Sequence, residues 1–180
     1  MTEKQWIEQA KSEGFSAAFL SPEQIPVNET FRVYCQENRC GKYGANYSCP
    51  PDCGTVEQMR QRILSQSRVM VLSSQWEIQG PGDSQGIQQS RQAHNAGILR
   101  LLDTFRQEGL EGFAAGYSGC QLCSPCKRTQ NQPCPFPQRR MSCMSAYCVD
   151  VGELARRCSL DFAWSEQRLY LFGMIAFHSP

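Results

Sequence analysis

Apolar and polar positions change period along this chain, and the changes mark out its elements. From residue 3 to 13, Trp6, Ile7 and Ala10 share one side of a helical wheel and Gly14 closes the run, which predicts an amphipathic helix. Phe15 to Leu20 is then an apolar run of strand length. After Ser21-Pro22 the pattern stays irregular until Phe31-Arg32-Val33-Tyr34, which leads into Cys35. Thr55, with Gln58 three positions on, makes a capping box, so a helix is expected to about Ser67, followed by a strand at Val69-Met70-Val71-Leu72. Residues 73–86 contain Gly80-Pro81-Gly82-Asp83 and read as a solvated connection. Between Gln85 and Gln107 the apolar positions Ile87, Ile98, Leu101, Leu102 and Phe105 recur at helical spacing, and Gly109 and Gly112 end that helix. Phe113 to Tyr117 reads as a strand, residues 149–157 as a helix, and Leu169 to Phe177 as a strongly apolar last strand.

Strands alternating with helices imply an α/β class: a small mixed sheet of about four strands with flanking helices, and two cysteine-rich loops at strand ends, where irregular backbone can wrap a cofactor. The length of 180 residues suits one domain, 1–180. Eighteen basic residues nearly cancel seventeen acidic ones, leaving a formal +1 with no long run of one sign, so nucleic acid is not an expected partner. No stretch approaches the roughly 18 apolar residues of a membrane span, and the opening Met1-Thr2-Glu3-Lys4-Gln5-Trp6 lacks the apolar core of a secretory signal. A cytoplasmic protein is expected, with no membrane partner. Its oligomeric state is not encoded in these patterns.

Cysteine changes the picture, at 11 of the 180 residues. Cytosolic thiols are kept reduced, the count is odd, and cysteines two residues apart bridge one another poorly, so disulfides are the wrong explanation and metal or redox chemistry remains. In the group made by Cys120, Cys123, Cys126 and Cys134, the first three are separated by two residues each, and the fourth stands directly before Pro135. This spacing is ferredoxin-like with a longer last gap, because a cubane offers several iron corners that closely spaced thiolates on one tight loop can reach. Proline after a ligand turns the backbone away. An overlapping CxxCxxC favours a cluster over zinc, whose paired CxxC units are normally well separated. The other group, Cys35, Cys40, Cys49 and Cys53, has enough thiolates for one more cubane, with Gly41 and Gly44 permitting close backbone approach and Arg39 and Lys42 supplying cations. Its competing readings are a zinc knuckle or a set of core thiols.

Together these residues resemble an uncharacterised family of predicted metal-binding proteins, domain of unknown function 2284, over nearly the whole chain. The resemblance rests on the cysteine loop through Tyr43-Gly44 to Cys49-Pro50-Pro51, the helix carrying His94, and Gly116 ahead of the CxxCxxC. It rests also on the stretch Ser142-Cys143-Met144-Ser145-Ala146-Tyr147-Cys148-Val149-Asp150-Val151, which is similar to the family's Ser-Met-Glu-Ala-x-Gly-Ile-Asp-Val block. Cys143, Ser145 and Cys148 stand where that block has Ser, Glu and Gly. The resemblance implies a cytosolic metalloprotein and names no reaction. Cys148 is a candidate to replace Cys53, and Cys143 with Cys148 for an extra metal site or a redox-active pair, against the plainer reading of small buried hydrophobes; Cys158 reads as core.

His94 points toward the apolar face of the long helix, where a satisfied core histidine is the default and a ligand or proton relay the alternative; His178 carries no such signal. Tyr43, Tyr47 and Trp76 are candidates to shield a cluster, and Arg139 and Arg140 to meet an anion or a partner's acidic face, although core packing and solvation are the commoner roles. No nucleophile with its base, phosphate-cradling loop or dinucleotide fingerprint stands out. The expectation is two 4Fe–4S clusters carrying electrons to a redox partner protein. The alternatives are an enzyme or activase with an open-site cluster, and a zinc-stabilised interaction module.

Overall fold

The computed structural model describes residues 1–163 and 165–178. Five strands form one sheet: β1 (Ser16–Leu20), β2 (Arg68–Glu77), β3 (Glu111–Gly116), β4 (Ser142–Cys143) and β5 (Arg168–His178), in the spatial order β1-β2-β5-β3-β4. The helices are α1 (Glu3–Ser12), α2 (Arg32–Gln36), α3 (Val56–Leu64), α4 (Ser84–Gln107) and α5 (Val151–Cys158). The class is α/β, as the periodicity indicates, but the strands number five rather than four. The additional strand, β4, pairs parallel to β3 through Ala115 with Ser142 and Gly116 with Cys143. Two residues are too few to show a period of two in sequence. All other neighbours are antiparallel.

Helices cover both faces of the sheet, which is why its central strands read as continuous apolar runs rather than alternating ones. Val69 and Val71 of β2, with Met174 and Ala176 of β5, pack among Met59 and Ile63 of α3 and Leu154 of α5. Met70 and Leu72, with Ile175 and Phe177, face the opposite way onto Trp6 of α1 and Ile98, Leu101 and Phe105 of α4. Fully burying each such side chain contributes on the order of 1.5–3 kcal/mol. Capping boxes at Thr2 and Thr55 start α1 and α3, and the Asp83 and Asp150 carboxylates accept from Gly86 N–H and Glu153 N–H to start α4 and α5.

The expected solvated connection over 73–86 is corrected in its first part: β2 continues to Glu77, paired with Arg168 of β5. The ladder satisfies this backbone whatever the side chains, and Ser73 and Ser74 are buried. Likewise the irregular stretch before Cys35 contains two short 3-10 turns and then α2.

Two features set the position of the cysteine loops. Gly173 of β5 lets α4 lie close against the sheet, since a Cβ there would stand 2.3 Å from Ile98 Cδ1 and 2.7 Å from the Ala115 carbonyl oxygen. Residues 26–28 pair with 148–150: Val27 bridges Val149, Asn28 N–H donates to the Cys148 carbonyl at 2.8 Å, and Asp150 N–H to the Pro26 carbonyl at 2.8 Å. That pairing brings the approach to Cys35 alongside the segment that carries Cys143. No helix among the described residues is long and apolar enough to cross a membrane.

Candidate metal centres

The loop that follows α2 is folded by its own backbone. Asn38, Gly41 and Gly44 take left-handed conformations (φ 51°, 67° and 64°), so the chain doubles back between Cys35 and Cys49. Asn38 Oδ1 accepts from Tyr43 N–H at 3.0 Å, and Gly44 N–H reaches the Pro50 carbonyl at 2.8 Å. Cys49 N–H then donates to Asn46 O and Cys53 N–H to Cys49 O, a tight turn that buries both thiols.

Cys35, Cys40 and Cys49 line one cavity of about 420 Å³ together with Cys143, which β4 places beside Gly116. Cys53 lies outside its lining. The Cys53 thiol points into the core, with Sγ 3.4 Å from Met59 Sδ and 3.8 Å from the Gly54 carbonyl, and Arg32 Nη1 at 3.9 Å. The Cys143 thiol beside Cys35 holds Cys35 down to about 7, helped by the Arg32 charge, while Cys143 itself is raised by Cys35 and by burial. The pair thus keeps one proton between them, with Cys35 ionising first. Ala146 N–H donates to Cys143 Sγ at 3.3 Å. Burial pushes Cys49 up to about 12, against a smaller pull from the Ser48 hydroxyl. Cys148 is fully buried at a left-handed residue (φ 55°), a conformation that accounts for Gly at this place in the family block, and it lines no cavity with the other thiols. Cys158 packs on the core of the α3 and α5 face, and burial alone pushes its thiol up to about 11.

All four cysteines of the other group, Cys120, Cys123, Cys126 and Cys134, surround a second, much smaller pocket, with Pro135, Tyr47, Phe136, Lys127 and Arg140 among the remaining walls. Burial raises the Cys120 thiol, and the Cys134 and Cys126 thiols raise it further. Arg140, an anion-binding candidate by sequence, thus stands at this pocket; Arg139 instead pairs with Asp103 at 2.7 Å. Trp76 lines neither cavity and donates from Nε1 to Ser74 Oγ at 2.7 Å. His94 is fully buried, with Nδ1 2.7 Å from the same hydroxyl, and His178 Nδ1 lies 3.0 Å from Ser67 Oγ.

The two loops are tied to each other. Tyr47 OH donates to the Gln132 carbonyl at 2.9 Å, and Arg128 pairs with Asp52 at 2.8 Å. Gly119 lies between them: a Cβ there would stand 2.6 Å from Cys49 Sγ, while its neighbour Cys120 lines the smaller pocket. One peptide unit therefore separates the walls of the two cysteine sites.

As a test of fit, the donor set is uniformly soft: each site gathers four thiols, and neither lining contains a carboxylate or imidazole. Such sets select zinc, copper(I) or iron–sulfur clusters over hard cations. Among the described residues no three Cys, His, Asp or Glu side chains converge as a group that could hold a metal ion in place. The thiols surround two pockets rather than two points.

Sequence reasoning did not single out Arg91, Asn95 and Tyr117. Asn95 brackets the Tyr117 backbone, accepting from its N–H at 2.9 Å and donating to its carbonyl at 2.7 Å. One helical turn earlier, Arg91 lays its guanidinium over the Tyr117 ring at 4.4 Å. The spacing of Arg91 and Asn95 on one face of α4 was the available signal.

A family model described as predicted metal-binding protein, domain of unknown function 2284, matches residues 18–177. No curated protein and no solved structure matches the chain.

Proposed function

The chain belongs to that family of predicted metal-binding proteins, and from this premise we propose that it is an iron–sulfur protein holding two 4Fe–4S clusters that serve electron transfer to a partner protein. The observation that carries the reading is that two separate sets of four thiols surround two adjoining pockets. Cys120, Cys123, Cys126 and Cys134 would hold one cluster. Cys35, Cys40, Cys49 and Cys143 would hold the other, with Cys143 in place of Cys53, whose thiol is committed to Met59. Bound there, such clusters supply one-electron acceptance and release.

The residues around them supply the setting. The Ala146 N–H directed at Cys143 Sγ, and Lys127 and Arg140 at the smaller pocket, favour added negative charge and so raise a potential. The hydrogen bonds between the loops fix the two sites relative to each other, which keeps the distance an electron must cross constant. Tyr47 and Phe136 limit water at the smaller site.

Metal and acid-labile sulfide analysis of anaerobically purified protein tests this. About eight irons and eight sulfides per chain, with a brown absorption band that bleaches on reduction, is the expected result. Zinc without sulfide would replace the redox reading with that of a zinc-stabilised structural module.

A further inference from the structure

The 420 Å³ cavity at the first cysteine group is larger than thiol ligation needs, and its remaining walls have a consistent chemistry. They are aromatic, with Tyr34, Tyr43, Tyr117, Phe162, Tyr170 and Phe172, and cationic, with Arg39, Lys42 and Arg91, and they include no acidic residue. Tyr34, Tyr43 and Phe162 are among the few large apolar side chains that the described surface leaves exposed, and all three stand at this one cavity. Exposed aromatic residues gathered at one opening mark a binding site rather than scattered surface.

Arg91 is the group that specifies the occupant. Arg39 is already paired with Glu37 at 2.8 Å, and the cation that acts on Cys35 is Arg32. Arg91 comes from α4 rather than from the cysteine loop, and its Nε is buried with no hydrogen-bond partner among the described residues. Its guanidinium carbon stands 4.4 Å over the centre of the Tyr117 ring, and Asn95 fixes Tyr117 in turn through both backbone groups. A preorganised planar fork matches a carboxylate in two parallel hydrogen bonds, and the adjoining aromatic wall suits a flat ring.

We propose that this cavity binds a small aromatic carboxylate, its carboxylate on Arg91 and its ring against Tyr117 and Phe172, alongside the first thiolate group. A bare inorganic anion would leave the aromatic wall without a partner, and a neutral ring would leave Arg91 without one. The proposal builds on the site of the proposed function but not on which metal fills it.

The test is calorimetric titration of the metal-loaded protein, under anaerobic conditions, with 2-naphthoate, uncharged 2-naphthamide and inorganic phosphate, repeated on Arg91→Gln. Binding of 2-naphthoate is expected to weaken at least about tenfold for the amide and about tenfold in Arg91→Gln, with the variant keeping wild-type metal content and melting temperature. No binding of naphthoate at millimolar concentration, equal binding of naphthamide or phosphate, or a variant that binds as well as wild type overturns it. Loss of metal from Arg91→Gln also overturns it, by making Arg91 a partner of the metal centre. Finding zinc instead of iron ends the electron-transfer reading alone, since the same titration decides this proposal on the zinc form.

Discussion

Asn46 donates from Nδ2 to the Cys120 carbonyl at 2.8 Å, and Cys120 N–H in turn donates to Ser48 Oγ at 2.7 Å. The first cysteine of the second group is therefore held at both of its backbone groups by the loop that carries the first group. Asn46 and Ser48 are themselves buried and bonded to one another. Ser48→Ala removes the acceptor and leaves the half-buried Cys120 N–H without a partner, a loss of about 1–3 kcal/mol. Thermal unfolding should register that loss, and a chelator challenge should strip the second site sooner than in wild type; an unchanged melting temperature would mean that water replaces the hydroxyl.

Cys143 and Cys53 make opposite predictions. Cys143→Ala should lose about half of the bound metal, whereas Cys53→Ala should keep all of it and pay only for a lost core contact, about 1 kcal/mol. Metal analysis of the two variants side by side decides. Retained metal in Cys143→Ala with loss in Cys53→Ala would return the ligand role to Cys53.

Gly119 admits the close passage of Cys49 Sγ, at 2.6 Å from where a Cβ would be. Gly119→Ala must push the Cys49 thiol aside, costing about 1–3 kcal/mol by overpacking. The expected phenotype is selective: metal is lost from the first group, and the second retains its own. Spectra of the variant showing one intact centre would bear this out, and two intact centres would contradict it.

His94 links stability to pH. Burial lowers its pKa to about 4, against a smaller opposing pull from the Phe172 backbone, which Nε2 faces without making a hydrogen bond among the described residues. An unfolded histidine titrates near 6.5, so between these values the unfolded chain binds more protons than the folded one. The contribution is complete above about pH 6.5 and is lost as pH falls toward 4, by an amount on the order of 3 kcal/mol. Denaturant unfolding of wild type and His94→Asn across that window should show a shallower pH slope in the variant. Parallel slopes would assign the acid sensitivity to other groups.

The second cysteine group was legible in sequence as a group because its four members lie within one loop and spacing alone brings them to one pocket. The first was legible only in part. Cys35 in α2 and Cys40 and Cys49 in the loop after it are close in sequence, but Cys143 reaches their cavity through the pairing of a two-residue strand with β3, which no local pattern announces. Cys53 looked equivalent because sequence distance cannot show that the turn Cys49 to Cys53 aims the second thiol at Met59. The long apolar strands were plain, yet Ser73 to Glu77 read as a connection because a strand end kept by β5 pairing needs no apolar side chains. Arg91 escaped notice because its one-turn spacing from Asn95 on α4 gains meaning only once Tyr117 is set against both.

The strand at the centre of the sheet is the last of the five in sequence order. β5 joins β2 on one side to β3 on the other, and β3 is what carries β4 and Cys143. During synthesis the two halves of the sheet therefore have no common neighbour until residues 168–178 leave the ribosome. Cys143 therefore gains its fixed place beside Cys35, Cys40 and Cys49 only once β5 has joined the sheet, so the first cysteine cavity is completed late, by a strand that contributes none of its thiols.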